Sequence, residues 1–257
     1  MPLYRRLTRR LSPLLTRLLS PIPIPQPCRL CGLFSGTPVC HACHAISTPA
    51  PHRCRRCALP LPGSGEICGE CLQQSPAFYH TLCAGDHTPP ASDWLNVFKH
   101  NADLTAGELL LWRLAKVVEA HYGNGPRPDL LIPTPMHWRA QLQRGFNQAA
   151  WMSHRLSQQT GIPALMALQR VAAGQAQKSL SRRERLHNLR DCFEVRPRMH
   201  SLLSGRHLAL IDDVVTTGAS ARLLSQLLRD AGAARVDVWC LTRTPKPHRL
   251  RCGPELA

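Results

Sequence analysis

Acidic residues are scarce in this sequence. Asp and Glu number 16 against 32 Lys and Arg in 257 residues, and no acidic residue precedes Glu66. The formal charge of +16 favours a polyanionic partner, either nucleic acid or an anionic membrane surface. Arginines that are simply solvated on an ordinary surface are the alternative interpretation.

Long apolar runs and aromatic residues are also few. No run approaches the length that crosses a bilayer, so we expect no transmembrane segment. Aromatic residues make up 5% of the chain. A contact with single-stranded DNA would therefore use the phosphate backbone more than stacked bases.

The first 27 residues form a basic extension without an export signal. Arg17 interrupts its apolar part, and no small-residue cleavage site follows. Its leucines recur at helical spacing opposite arginines, which predicts either an interfacial helix with peripheral membrane contact or, given Pro13, a disordered basic tail. We expect a cytoplasmic protein, at the inner face of the membrane if that helix forms.

Twelve cysteines are present, and eight of them form four Cys-x-x-Cys pairs. Each pair can offer two thiolates from one turn, and two pairs complete a tetrahedral zinc site. A disulfide framework would need an export signal, and a redox pair is expected singly, which leaves an iron–sulfur cluster as the alternative. We predict two structural zinc ions, each held by neighbouring pairs because local closure costs least chain entropy. The first ion is assigned to Cys28, Cys31, Cys40 and Cys43, and the second to Cys54, Cys57, Cys68 and Cys71.

Residues 208–220, LALIDDVVTTGAS, carry the most chemical information. An apolar run of the kind found in buried strands stops at two carboxylates, and a turn of small residues then leads into a helix-like segment. The N–H groups of the turn and the helix dipole favour an anion, while the carboxylates suit sugar hydroxyls or a hydrated Mg²⁺. The alternative is an ordinary turn whose threonine caps the helix. The predicted sugar-phosphate site comprises Asp212, Asp213, Thr216, Thr217, Gly218, Ala219 and Ser220.

Strand-like and helix-like segments alternate after the cysteines, which predicts an α/β fold with a doubly wound parallel sheet. The predicted strands are 77–87, 129–135, 208–215 and 236–244. Helices are predicted over 90–100, over 104–122, up to Gly161 and over 221–232. We divide the chain into a basic extension (1–27), a double zinc ribbon (28–75), the α/β domain (76–244) and a tail (245–257).

The 208–220 stretch resembles the phosphoribosyl-diphosphate (PRPP) signature of type I phosphoribosyltransferases. Residues 131–148, LIPTPMHWRAQLQRGFNQ, and 168–193, LQRVAAGQAQKSLSRRERLHNLRDCF, are similar to two blocks of the ComF family, and the cysteine-rich amino terminus adds to the likeness. The resemblance runs from about Cys28 to Thr244 and is strongest to the GntX branch of DNA-utilization proteins. It implies a phosphoribosyltransferase-like fold, ribose hydroxyls on the acidic pair, and the 5′-phosphate of Mg²⁺-PRPP in the loop.

Three arginines complete the predicted PRPP site. Arg139 and Arg144 follow a strand end and suit a diphosphate, and Arg185 lies in a polar run that could close over ligand or follow a nucleic-acid backbone. Solvated surface arginines are the alternative.

The sequence supports two functional interpretations. The first is a PRPP-binding protein of DNA uptake or utilization that holds single-stranded DNA on its basic surface. A related option is that the zinc ribbons dock proteins of the uptake machinery. The second is an active phosphoribosyltransferase that releases diphosphate on transfer to an unknown acceptor. No catalytic residue is assigned.

Overall fold

The computed structural model describes residues 25–28, 32–37, 40–41, 52–63, 65–171 and 192–246, apart from the side chains of 139 and 140. In chain order its elements are β1 (Gln26–Pro27), β2 (Phe34–Ser35), α1 (Gly69–Gln73), β3 (Thr81–Asp86), α2 (Ala91–Asn101), α3 (Leu104–Tyr122), β4 (Leu130–Pro133), α4 (Trp138–Arg144), α5 (Gln148–Thr160), β5 (Leu168–Arg170), β6 (Phe193–Val195), α6 (His200–Leu203), β7 (His207–Val215), α7 (Ala219–Asp230) and β8 (Arg235–Arg243).

The chain divides into two compact units, Met1–Ile46 and Ser47–Ala257. In the described part of the first unit, β1 pairs antiparallel with β2. Cys28 follows β1, and its amide donates to the Leu33 carbonyl at 2.7 Å, which closes a tight turn.

The second unit is built on a four-stranded sheet in the order β3-β8-β7-β4, in which every neighbouring pair is parallel. The connections between these strands include helices, as parallel pairing requires. Local signals define several helix ends. The Asp103 carboxylate accepts from two amides at the start of α3, and α5 ends at Gly161 in the left-handed region.

Strand β7 is buried on both faces of the sheet. Leu208 and Leu210 join one apolar cluster with α7, while Ala209 and Ile211 join a second cluster with α2, α3 and α5. This arrangement confirms the predicted doubly wound parallel sheet, and it explains why β7 reads as a continuous apolar run. The acidic pair therefore begins where the two-sided burial ends.

A buried carboxylate ties the amino ends of β7 and β8 together. Asp237 accepts from the Tyr122 hydroxyl at 2.6 Å and lies 2.7 Å from His207 Nε2. Burial opposes its ionisation, but these hydrogen bonds and those from Arg235 lower the pKa of Asp237 to about 2. The charged network holds the edge of the sheet opposite the acidic pair.

A small antiparallel sheet of β5 and β6, which the sequence did not predict, flanks residues 172–191. Arg185 falls in that interval and lies outside the described residues, as do most of the first 27 residues. Among the residues that the structure describes, no helix is long and apolar enough to cross a membrane.

Candidate functional site

The two carboxylates at the end of β7 have different partners. Asp212 Oδ1 accepts from the Thr134 hydroxyl at 3.1 Å and from the Asp213 amide at 2.9 Å. Asp213 Oδ2 lies 2.9 Å from Lys99 Nζ, and only 16% of each of these two side chains is exposed. Residues from three elements of the second unit thus converge on one edge of the sheet.

The acidic pair is electrostatically strained. Burial and repulsion from Asp213 raise the pKa of the Asp212 carboxyl to about 7, although the two hydrogen bonds oppose this rise. Among the residues that the structure describes, Lys99 is the cation within ion-pair distance of the acidic pair, so two carboxylates share one positive charge. A divalent cation or the hydroxyl donors of a sugar would relieve this deficit.

The turn after β7 forms the entry to α7. Gly218 adopts the left-handed region (φ 79°) and is the N-cap residue of α7. Because Gly218 has no side chain and the first-turn N–H groups lack intrahelical acceptors, the turn presents donors to an anion. Thr217 Oγ1 accepts from the Ala219 amide at 3.3 Å, a local contact that differs from a threonine N-cap.

A cavity of about 370 Å³ lies over this edge of the sheet in the second unit. The ends of β4 and β7, the start of α7 and the end of α4 all contribute to its walls. Its lining includes predicted site residues together with two partners of the acidic pair, seven residues in all: Asp212, Asp213, Thr216, Ser220, Arg144, Lys99 and Thr134.

The predicted PRPP residues are therefore partly assembled. Asp212, Asp213, Thr216, Ser220 and Arg144 line the cavity. The others have separate positions: Thr217, Gly218 and Ala219 form the turn beside it, Arg139 lies on α4 with a side chain outside the described residues, and Arg185 lies outside them entirely.

Several polar residues that line the cavity were absent from the predicted site, among them Lys99, Thr134 and Gln148. Lys99 and Thr134 meet the acidic pair only through the fold, and no local pattern marks them. Gln148 is fully buried, and neither polar atom of its amide has a hydrogen-bond partner among the described residues. Its place in the GFNQ sequence at the start of α5, directly after the N-cap residue Asn147, was the available signal.

The second group of cysteines forms a compact cluster. The Sγ atoms of Cys54, Cys57, Cys68 and Cys71 all lie within 4.8 Å of one another, and all four residues are buried. Cys54 and Cys57 lie on one turn, while Cys68 is the N-cap residue of α1 and Cys71 lies within that helix. The structure thus brings together the four cysteines of the third and fourth motifs.

The donor set of the cluster fits a metal ion. Cys57 Sγ and Cys68 Sγ are 3.6 Å apart, too far for a disulfide and close to the roughly 3.8 Å edge of a tetrahedron with ~2.3 Å metal–sulfur bonds. Burial and repulsion from neighbouring thiolates raise the pKa of Cys57 to about 11. A divalent cation would offset both effects and keep the thiolates ionised.

The first group of cysteines is described only in part. In the first unit the Cys40 amide donates to Cys28 Sγ at 3.3 Å, the kind of contact that supports a thiolate ligand. Cys31 and Cys43 lie outside the described residues, so this metal site stays a prediction.

The second cluster is packed into the α/β unit. Its four cysteines belong to the same apolar cluster as Phe78, Leu224 and Val238. On α7, Arg222 donates to the Gln74 carbonyl at 2.8 Å, and its Nη2 lies 3.6 Å from Cys71 Sγ. We call residues 216–220 the phosphate-type turn. The cysteine cluster and α7, the helix that this turn leads into, thus share one core.

Curated relatives cover most of the chain. DNA utilization protein YhgH of Salmonella typhi is 33% identical over 233 residues, which are 87% of this chain and 99% of the relative. The protein of the same name from Escherichia coli (strain K12) is 32% identical over 229 residues with the same coverage. Competence protein F of Haemophilus influenzae is 31% identical over 210 residues, 80% of this chain and 90% of the relative.

The fold defines an α/β protein with a parallel sheet and a strand–turn–helix at its edge. It also carries a cluster of four cysteines that could hold a metal ion. At this identity and coverage, the chain belongs to the ComF family of DNA utilization and competence proteins. No protein-family model matches it.

Solved structures give a weaker likeness. The chain is similar to glutamine PRPP amidotransferase from B. subtilis, with 18% identity and a TM-score of 0.36 over 51% of this chain and 26% of that one. It is also similar to adenine phosphoribosyltransferase from Thermoanaerobacter pseudethanolicus, with 18% identity and a TM-score of 0.35 over 56% and 83% of the respective chains.

Replacing Asp212 with Asn should change how stability depends on pH. The carboxyl has a pKa of 3.8 when unperturbed and about 7 in the fold, so the folded state binds the extra proton. Wild-type stability is therefore lost as the pH rises from about 4 to about 7. Asp212→Asn should be more stable than wild type at pH 8, by roughly 1–4 kcal/mol at ~1.4 kcal/mol per pKa unit, and similar near pH 4.

Urea denaturation across this pH range measures the effect. Asp230→Asn is the matched control, because Asp230 is an exposed carboxylate at the far end of α7. A stability difference for Asp212→Asn that is the same at every pH would contradict the electrostatic account.

Removing two thiols of the second cluster should remove its metal. We expect Cys54→Ser combined with Cys57→Ser to lower the metal content by about one ion per chain, with a lower melting temperature, because bound metal contributes to folding. Elemental analysis of the purified full-length protein measures this. Cys240→Ala, at a buried cysteine of β8, should lose stability without losing metal. Equal metal content in the double variant and the wild type would rule the site out.

Proposed function

We propose that the cavity binds PRPP as its Mg²⁺ complex, and that this binding serves DNA utilization. The observation that carries the proposal is the convergence of the acidic pair and the first turn of α7 on one cavity of about 370 Å³. The 5′-phosphate would meet the turn of residues 216–220. The ribose hydroxyls would meet Asp212 and Asp213, and the diphosphate would extend toward Arg144.

Charge complementarity supports this orientation. The helix dipole and the hydroxyls of Thr216 and Ser220 favour the phosphate end, and Arg144, which lines the same cavity, supplies positive charge for the diphosphate. The carboxylates between them suit hydroxyl donors and the hard cation that accompanies a diphosphate. Mg²⁺, when bound, would offset the charge of the diphosphate.

Transfer of the ribose phosphate is the second candidate function, and Gln148 favours it. The buried amide offers a donor and an acceptor in the cavity wall, and PRPP alone leaves no evident use for it. An acceptor with a matching polar edge, such as a nucleobase, would bond through a ring nitrogen to C1 of the ribose as the bond from C1 to diphosphate breaks, and the proton of that nitrogen would pass to solvent. Diphosphate would leave with the bonding electron pair.

For the cysteine cluster we propose zinc as the resident ion, in a structural role. Four thiolates and no open position are typical of structural zinc. We propose the same role for Cys28, Cys31, Cys40 and Cys43 in the first unit.

We propose that single-stranded DNA binds a basic aromatic cluster at the amino edge of the sheet. Tyr79 is 47% exposed, and the guanidinium groups of Arg56 and Arg235 lie 5.3 and 4.4 Å from its ring centroid. His80 and His121 continue the cluster, with ring centroids 4.8 Å apart. Arginines can contact phosphates while aromatic and guanidinium faces stack on bases. The names of the relatives fit such a partner.

Calorimetric titration tests the PRPP proposal. Wild-type protein with Mg²⁺ should bind PRPP, and Asp212→Asn with Asp213→Asn should bind at least tenfold more weakly, because charge-assisted hydrogen bonds are each worth roughly 1.5–3 kcal/mol. Asp230→Asn should bind like wild type. If the wild type binds no PRPP, or the double variant binds as well as the wild type, the proposal is wrong.

Fluorescence anisotropy with a labelled oligodeoxythymidylate tests the DNA proposal. Affinity should fall as salt rises, and Arg56→Gln should reduce the slope of log K against log salt by about 1. Tyr79→Ala should lose roughly tenfold in affinity through lost stacking. Lys116→Gln, at an exposed lysine of α3, is the control. Salt-independent binding, or full affinity in Tyr79→Ala, would refute this surface.

A further inference from the structure

Arg243, at the end of β8, joins the cysteine cluster to the phosphate-type turn. Its side chain is buried, with the residue 4% exposed. Nε donates to the Cys57 carbonyl at 2.8 Å, and Nη1 donates to the Val215 carbonyl at 3.0 Å and to the Thr216 carbonyl. The Arg243 guanidinium therefore joins the turn that carries Cys54 and Cys57 to the turn after β7.

The charge environment of Arg243 points to the metal. No carboxylate of the described residues lies within ion-pair distance of its guanidinium. A buried cation without a counter-charge is costly, even when carbonyl groups accept its hydrogen bonds. Four thiolates around a divalent ion carry a net charge of −2, and the carbonyl of Cys57 is the direct connection between this charge and Arg243.

Other arginines contact the cluster without reaching the turn. Arg53 donates to the Ala58 carbonyl at 2.9 Å, on the same cysteine turn, and pairs with Asp86 at 2.8 Å. Arg222 contacts the cluster from α7. Among the described residues, Arg243 is the arginine that donates hydrogen bonds to both the Cys57 carbonyl and the Thr216 carbonyl.

The orientation of the turn depends on these carbonyls. The Val215 and Thr216 carbonyls face Arg243, and in a trans peptide the N–H that follows points the opposite way, so these N–H groups point away from Arg243. Thr216 and Ser220 of the same turn line the cavity. Thr244 adds to this anchor, because its amide donates to the Val215 carbonyl at 3.0 Å. Arg243 and Thr244 therefore fix the orientation of the peptide N–H groups that an anion would need as donors.

We propose that Arg243 is a positioning residue through which metal at Cys54, Cys57, Cys68 and Cys71 controls the shape of the 216–220 turn, and so its affinity for a sugar phosphate. The proposal rests on the proposed function for its ligand. It adds that phosphate binding depends on the cysteine-bound metal, although the metal touches no part of the ligand.

A charge-conserving pair of variants tests the idea in the full-length protein. Arg243→Lys keeps the positive charge but lacks the planar fork that reaches both carbonyls. Arg53→Lys changes an arginine whose side chain contacts the cysteine turn and Asp86 of β3, without a hydrogen bond to the 216–220 turn. Three quantities are measured: zinc per chain, amide hydrogen exchange of residues 215–220, and calorimetric affinity for ribose 5-phosphate. The wild type is measured with and without zinc removal by a chelator.

Arg243→Lys should retain wild-type zinc, exchange the 215–220 amides at least tenfold faster, and bind ribose 5-phosphate about tenfold more weakly. Zinc removal from the wild type should accelerate the same amides, and Arg53→Lys should leave them within twofold of wild type. Unchanged exchange in Arg243→Lys, or in the zinc-depleted protein, overturns the inference.

Hydrogen exchange also separates this inference from the proposed function. If the amides respond as expected but wild-type protein binds neither ribose 5-phosphate nor PRPP, the coupling stands and the assigned ligand is wrong. If the wild type binds both ligands and the amides do not respond, the ligand stands and the coupling is wrong.

Discussion

Burial of β7 on both faces is the constraint on which the rest of the structure depends. Leu208 to Ile211 are each fully buried, with alternate side chains in the two apolar clusters. A strand in this position must be flanked by parallel neighbours and covered by helices on both sides. Its carboxyl end is consequently the first point at which polar groups can face solvent, and the acidic pair, the phosphate-type turn and the cavity all lie there.

The electrostatics of that edge follow from its partial burial. Two adjacent carboxylates repel, and burial adds to the cost, so the fold supplies Thr134 to one and Lys99 to the other. The raised pKa of Asp212 shows that this compensation is incomplete. Protein sites with such a deficit are suited to a cationic or hydroxyl-rich ligand. Repulsion and burial act in the same way on the thiolates of the cysteine cluster, where Arg222 Nη2 lies 3.6 Å from Cys71 Sγ.

Local patterns predicted the parts of this architecture that depend on neighbouring residues. The strand–turn–helix of 208–230, the end of α5 at Gly161 and the pairing of the last two Cys-x-x-Cys motifs are all set by residues close in sequence. Lys99 lies more than a hundred residues from Asp213, and Arg243 lies far from Cys57, so their contacts arise only from sheet order. In a chain with so many arginines, nothing local separates Arg243 from a solvated one. The cysteines of the second cluster read as a separate ribbon but belong to the α/β core.

The crystal structure of the full-length protein with Mg²⁺ and PRPP would test the central claim most directly. We expect the 5′-phosphate within hydrogen-bonding distance of the 216–220 amides and the ribose hydroxyls or Mg²⁺ at Asp212 and Asp213. Arg243 should still donate to the carbonyls of Cys57 and Thr216. PRPP bound away from the acidic pair, or a 216–220 turn that makes no contact with the phosphate, would contradict it.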